Sequence, residues 1–301
     1  MKKAMVLFAG MIVFFVFPLS CKKNDVNPDE VRLVALESTD STGTYKTVFD
    51  LDDLGRIIKV HESGAPQVAI MNVVYQNNQI IITQPQTNND AITTIDSVVL
   101  IINADNRVQK RIATSFLETK PPLNLPQRTY IYDTTIYEYD GAGLLNKETY
   151  RQRDSTWFNP GQVQIFLSIR NGMSTYVNSN GNVMSTNSNL ESTSSTYQNG
   201  TLYTSKHTIM SNTSFEYAKG YANKTDFRNA AVLDELNLLQ IHFNRNYKNL
   251  PDKIKRSSEE KDERGTIVSS NATNSDIVVT YNSYGFITSA NNGSHRFIYN
   301  R

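Results

Sequence analysis

One seven-residue pattern limits what this chain can fold into: apolar-[Asp/Asn]-x-x-[Gly/Asn]-x-apolar. It occurs as LDDLGRI (51–57), INADNRV (102–108), YDGAGLL (139–145), VNSNGNV (177–183) and YNSYGFI (281–287). In each copy the Asp or Asn can accept hydrogen bonds from backbone amides further along the turn. The later Gly or Asn can take a left-handed conformation, at no steric cost for Gly and at little for Asn. The turn-forming pairs are therefore Asp52 and Gly55, Asn103 and Asn106, Asp140 and Gly143, Asn178 and Gly181, and Asn282 and Gly285. Each describes a three-to-five-residue hairpin loop. A tighter form, YQNNQI (75–80) and YQNGTL (197–202), suits two-residue turns at Asn77-Asn78 and Asn199-Gly200. Flanking stretches such as RTYIYDTTIYEYD alternate with period two. The expected fold class is mainly β, a long antiparallel meander.

The composition agrees. Charged residues make up 20% of the chain and apolar residues 39%, with 16 Tyr and 13 Phe, a mix that favours strands and turns. A formal charge of +1 gives no electrostatic case for nucleic acid. Three stretches depart from the hairpin pattern. Residues 116–128 hold three prolines and read as a long connection. Residues 226–245 carry Val232, Leu233, Leu236, Leu239 and Phe243 at helical spacing behind a capping Asp226, predicting one amphipathic helix laid on the sheet. Residues 256–265, RSSEEKDERG, read as a charged mobile loop. Residues 171–215 are so rich in Ser, Thr and Asn that strands are expected there with weakly specified pairing.

The N-terminus carries an address. Lys2 and Lys3 precede an apolar run, Ala4 to Phe17, that is short for a membrane span and suited to a signal-peptide core. It ends in PLSC, where Ser20 precedes Cys21, the single cysteine of the chain. This resembles a bacterial lipoprotein signal, with Pro18 as a departure from the usual aliphatic residue. One cysteine excludes an intramolecular disulfide, and lipidation of Cys21 would account for a thiol outside the cell. The expected organisation is a signal peptide over 1–20, a flexible tether over 21–30 (CKKNDVNPDE) and a single β-meander domain over 31–301. The mature protein is expected on the outer membrane, held by its N-terminal lipid and facing the periplasm or the cell surface.

The aromatic-Asp-x-x-Gly hairpins resemble YD repeats. The ordered set of lipoprotein signal, YD-like hairpins, late helix, NLPDKI (249–254) and closing YNSYGFI hairpin resembles a Bacteroidetes lipoprotein family of unknown function with a porin-like fold. The resemblance implies a large curled antiparallel sheet, a barrel or half-barrel, with the helix packed in or against it. It brings no catalytic residues.

The residues themselves name no chemistry. His61, His207, His242 and His295 lack partners at metal-ligand spacing. Asp50, Asp52, Asp53 and Gly55 imitate the start of a calcium loop, but His61 stands where a bidentate Glu is required, so no metal and no cofactor are expected. Asp-Ser/Thr motifs at DST (40–42), DSV (96–98), DTT (133–135) and DST (154–156) make Ser41, Ser97, Thr134 and Ser155 candidate O-glycosylation acceptors. The expected function is non-enzymatic: binding of a glycan, lipid or envelope-protein partner on the curled sheet. The alternatives are a structural or assembly partner of the outer membrane, and a glycan-active hydrolase whose carboxylates meet only in the fold.

Overall fold

A computed structural model describes residues 31–63, 70–84, 87–88, 92–119, 127–158, 163–198, 201–219, 229–235, 248–282, 286–290 and 294–300. Residues 1–30, and with them the expected signal peptide, Cys21 and tether, lie outside the described residues. The chain forms β1 (Leu33–Asp40), β2 (Gly43–Leu51), β3 (Ile57–Ser63), β4 (Ile70–Gln76), β5 (Gln79–Thr83), β6 (Thr87–Asn88), β7 (Ile92–Ile102), β8 (Val108–Thr119) and β9 (Gln127–Tyr139). It continues with β10 (Leu145–Phe158), β11 (Val163–Ser179), β12 (Asn182–Gln198), β13 (Thr201–Glu216), α1 (Ala230–Glu235), β14 (Lys253–Asp262), β15 (Ile267–Asp276), β16 (Val279–Tyr281), β17 (Ile287–Ala290) and β18 (His295–Tyr299).

Among the described residues every ladder is antiparallel. The strands run β15, β14, β13, β12, β11, β10, β9, β8, β7, β5, β4, β3, β2, β1, β18, β17, β16, with two-residue β6 beside β7. The two edge strands, β15 and β16, are neighbours in the chain, joined through Ile277 and Val278. The sheet thus curls until its edges approach, but no ladder joins them among the described residues, and it is not closed. The wall is uneven. Strands β11 and β12 have 17 residues each, whereas β16 has three and β17 four, so the sheet forms a trough with one tall side.

The turn chemistry sets the lower end of the trough. Asp52 Oδ1 accepts from Leu54 N and Arg56 N at 3.0 and 2.8 Å, and Gly55 N donates to Asp52 O. Asn103 and Asp140 repeat this set with Asp105 and Arg107, and with Ala142 and Leu144. Asn282 accepts from Phe286 N at 3.0 Å, while Gly285 lies outside the described residues. Gly55 (φ 73°), Asn106 (59°) and Gly143 (81°) occupy the left-handed position. Register shifts at Asp50/Leu51, Ile101/Ile102 and Leu145/Lys147 are the bulges that this turn imposes on its strands.

Four segments differ from the sequence expectation. In VNSNGNV the turn is the tight two-residue form, with Asn180 (φ 52°) and Gly181 (φ 81°) between the paired Ser179 and Asn182. Asn178 holds no turn; its Nδ2 donates to Asp140 Oδ2 and Leu145 O, tying two hairpins together. The 256–265 segment is not a loop. Its charges fall on a strand, with Lys255 and Glu259 exposed on alternate positions, and Asp262 accepts from Arg264 N and Thr266 N in a further copy of the turn. The connection expected over 116–128 is shortened, because β8 runs to Thr119 and β9 starts at Gln127. The Ser/Thr-rich strands β11–β13 pair in long ladders, held in part by cross-strand hydroxyl pairs such as Ser174 with Ser188 at 2.7 Å.

The core fills the turn end of the trough. Leu36, Ile57, Val60, Leu100, Val108, Leu145 and Val183 are fully buried there. α1 seats Ala231, Val232 and Leu233 in the same cluster. The rest of the helix expected over 226–245 lies outside the described residues. Asn229, just before α1, fixes its entry: its Oδ1 accepts from Ile57 N at 2.8 Å and its Nδ2 donates to Gly55 O at 3.0 Å.

The turn carboxylates make acid stability testable. Burial pushes the Asp140 carboxyl up, but hydrogen bonds from Leu144, Asn178, Ala142 and Gly143 outweigh it and hold the acid below its ordinary value. Asp52 is likewise lowered, chiefly by Arg56 against the opposing effect of burial. A depressed carboxyl stabilises the fold above the ordinary carboxylate range and loses that contribution as pH falls through its folded value. Unfolding midpoints should therefore drop as pH falls below about 4. Asp140→Asn, which keeps the turn as Asn103 does, should flatten that decline. Asp140→Ala should cost about 1 kcal/mol at neutral pH, by analogy with a lost cap. A steeper acid decline in Asp140→Asn would contradict this assignment.

Candidate functional site

Above α1 the concave face encloses a cavity of about 650 Å³. Strand pairing assembles its lining in two lateral rows and sets a third row just beyond them. The middle row is Leu100, Arg111, Thr135, Tyr150, Gly172, Leu190 and Ile209, each paired with the next on adjacent strands from β7 to β13. The row nearer α1 is Tyr137, Glu148, Ser174, Ser188 and Ser211. The row beyond is Asp133, Gln152, Arg170, Ser192 and His207. Residues between these positions, among them Asn171, Thr175 and Glu191, are exposed on the convex face.

One end of the cavity is ionic. Arg111 Nε contacts both carboxylate oxygens of Glu235, at 2.9 and 3.0 Å, and its Nη1 pairs with Asp133. Burial alone would lower the Arg111 guanidinium, but Glu235 and Asp133 outweigh it and keep the group charged. Burial raises Asp133, against the attraction of Arg111, with Glu235 and Asp154 adding to the rise. Burial, with Glu148 and Glu235 nearby, raises Tyr137 well above the ordinary phenol, so it stays protonated. Asp133 and Glu235 converge on the one guanidinium of Arg111, whose single positive charge they share.

The other end is amphipathic. Tyr150 pairs with Gly172, and a Cβ at Gly172 would lie 3.1 Å from Leu190 Cδ1 and 3.7 Å from Tyr150 Cδ1. The missing side chain therefore lets the Tyr150 ring and Leu190 lie down over the sheet. The Tyr150 hydroxyl donates to Gln152, and Gln152 Nε2 donates to Asp154 Oδ1 at 2.6 Å.

The structure places the sequence candidates elsewhere. Asp52, Gly55, Asn103, Asn106, Asp140, Gly143, Gly181 and Asn282 lie in hairpin turns. Ser41 is exposed in the β1–β2 turn, and Ser97, Thr134 and Ser155 lie within strands, Ser97 Oγ 3.1 Å from Thr114 Oγ1. The acids of those motifs, Asp96, Asp133 and Asp154, take the alternate positions, and Asp96 and Asp133 line a smaller concavity of about 230 Å³ with Arg111. His61 pairs with Asp50 across β2 and β3 at 2.8 Å, and His207 with Glu260 at 2.9 Å. Tyr150, Leu190, Ile209 and Arg111 carried no sequence signal beyond strand alternation, and Glu235 none beyond its place in the predicted helix.

No family model and no curated protein matches this chain. Among solved structures, a porin-like protein from Bacteroides vulgatus ATCC 8482 is similar over 90% of this chain and 99% of its own, at 14% identity and a TM-score of 0.48. The convex face of this chain is charged at Arg151, Arg153, Glu191, Lys206 and Glu259.

Proposed function

We propose that this chain is a non-enzymatic lipoprotein of the Bacteroidetes cell envelope, of the kind its YD-like hairpins resemble, and that it binds a ligand in the trough above α1. The observation that carries the reading is the cavity itself, walled by the longest strands and lined by half-buried polar and apolar side chains in ordered rows. Lipidation at Cys21 supplies the anchor. Leu33 and Arg32 enter the fold beside the turns of the plugged end, so a tether from Cys21 would leave the tall wall pointing away from the bilayer.

A second reading has its own support. β15 is exposed along all ten residues and pairs on one side among the described residues, a form of edge that could add a strand from an envelope partner.

Cys21→Ala, expressed in a Bacteroidetes host, should move the protein from the membrane fraction to the soluble fraction. Unchanged fractionation would remove the lipid anchor from this reading. Binding in the trough is tested by whether a component of the host envelope protects a thiol placed at Ser188.

A further inference from the structure

We propose that the trough is a glycan site, in which a short neutral oligosaccharide lies across β10–β13 over Tyr150, Gly172, Leu190 and Ile209. The proposal rests on the reading of the trough as a ligand site and adds the ligand's chemistry. These four residues form one uninterrupted lateral run by strand register. All four are half-buried, so their upper surfaces remain available. Adjacent strands lie about 4.8 Å apart, so the run spans about 14 Å.

The run is apolar but one residue wide. On the α1 side it is bordered by Glu148, Ser174, Ser188 and Ser211, and on the other by Gln152, Arg170, Ser192 and His207. Sugar rings have the matching form: an apolar C–H face with hydroxyls around the rim. A ring laid on Tyr150 or Leu190 would place its hydroxyls against serine, amide and carboxylate groups on both sides. An acyl chain in the same place would strip water from those two polar rows without replacing its hydrogen bonds. A phosphate-bearing ligand would meet Asp133, Glu148, Asp154, Asp234 and Glu235 against the guanidiniums of Arg111 and Arg170. Neutral oligosaccharide is the class that both the stripe and its borders accept. Gly172 matters here because a side chain would rise between Tyr150 and Leu190 and break the flat floor.

The test is a printed array of neutral oligosaccharides, followed by isothermal titration with the best binder, and in parallel titration with the apolar dye 1-anilinonaphthalene-8-sulfonate. The expected result is saturable oligosaccharide binding that hardly changes with salt, since a neutral ligand brings no charge to screen. Tyr150→Ser and Ile209→Ser should each weaken it about tenfold or more, with thermal unfolding of each variant confirming that it folds. Asn171→Ala, on the convex face, should leave it unchanged. Oligosaccharide binding untouched by Tyr150→Ser and Ile209→Ser would overturn the site. Dye binding in the trough without any oligosaccharide would overturn the glycan class and leave the ligand-binding reading standing. Binding of neither would overturn the glycan class and count against the trough itself.

Discussion

Leu233→Ala should destabilise the protein by about 2 to 5 kcal/mol, read as a lowered denaturant midpoint at unchanged slope. Leu233 is 2% exposed and packs in the core cluster that joins α1 to the strands at the plugged end. Truncation removes its buried methyl groups and leaves a cavity against residues held by the turns, which cannot collapse far. The consequence reaches the site, because the same short helix carries Glu235 to Arg111. Looser seating of α1 should weaken that ion pair and enlarge the trough. A change below about 0.5 kcal/mol, the usual range for surface substitutions, would show that α1 does not plug the sheet.

Asn229→Leu should cost about 3 kcal/mol, on the scale of leaving buried polar groups unpaired. Asn229 is 1% exposed and serves two backbone groups of one turn, accepting from Ile57 N and donating to Gly55 O. Leucine keeps the branched shape but is bulkier and offers neither bond, so it crowds the site and leaves an amide and a carbonyl dry. Asn229→Asp keeps the acceptor but sets a buried carboxyl against the Gly55 carbonyl, so it should also destabilise the protein at neutral pH. Equal stability of Asn229→Leu and wild type, measured by denaturant unfolding, would contradict this pairing.

The turns were legible because their chemistry is local. An Asp or Asn that accepts from amides two and four residues on, with Gly or Asn in the left-handed position, is written within five residues. The Asp262 copy escaped because Lys261 stands where the pattern asked for an apolar residue. That position can be polar here because its partner, Ile267, opens a strand whose ten residues are all exposed. The charged 256–265 segment was misread for a related reason. Glu259, Glu260, Lys261 and Asp262 are consecutive and so put charge on both faces of a strand, which only the pairing with β13 reveals. Asn178 misled because two turn forms overlap in VNSNGNV, and the Asn-Gly pair at 180–181 won.

The site was not legible. Arg111 and Glu235 meet across 124 positions of sequence. Tyr150, Gly172, Leu190 and Ile209 align only because the ladders of β10–β13 take one register. A shift of one residue in any of them would send its member of the row to the convex face. The Ser/Thr-rich composition that suggested loose pairing in fact supplies the hydroxyl row of the cavity.

Thiol labelling is the most direct measurement of ligand binding in the trough. In a Cys21→Ala background, Ser188→Cys places a thiol in the cavity and Glu191→Cys places one on the convex face of the same strand. Maleimide should modify both in the folded protein. Adding an extract of the native host's envelope should slow modification at position 188 severalfold and leave position 191 unchanged. Equal rates at both positions with and without extract, or slowing at 191 alone, would contradict a ligand site on the concave face.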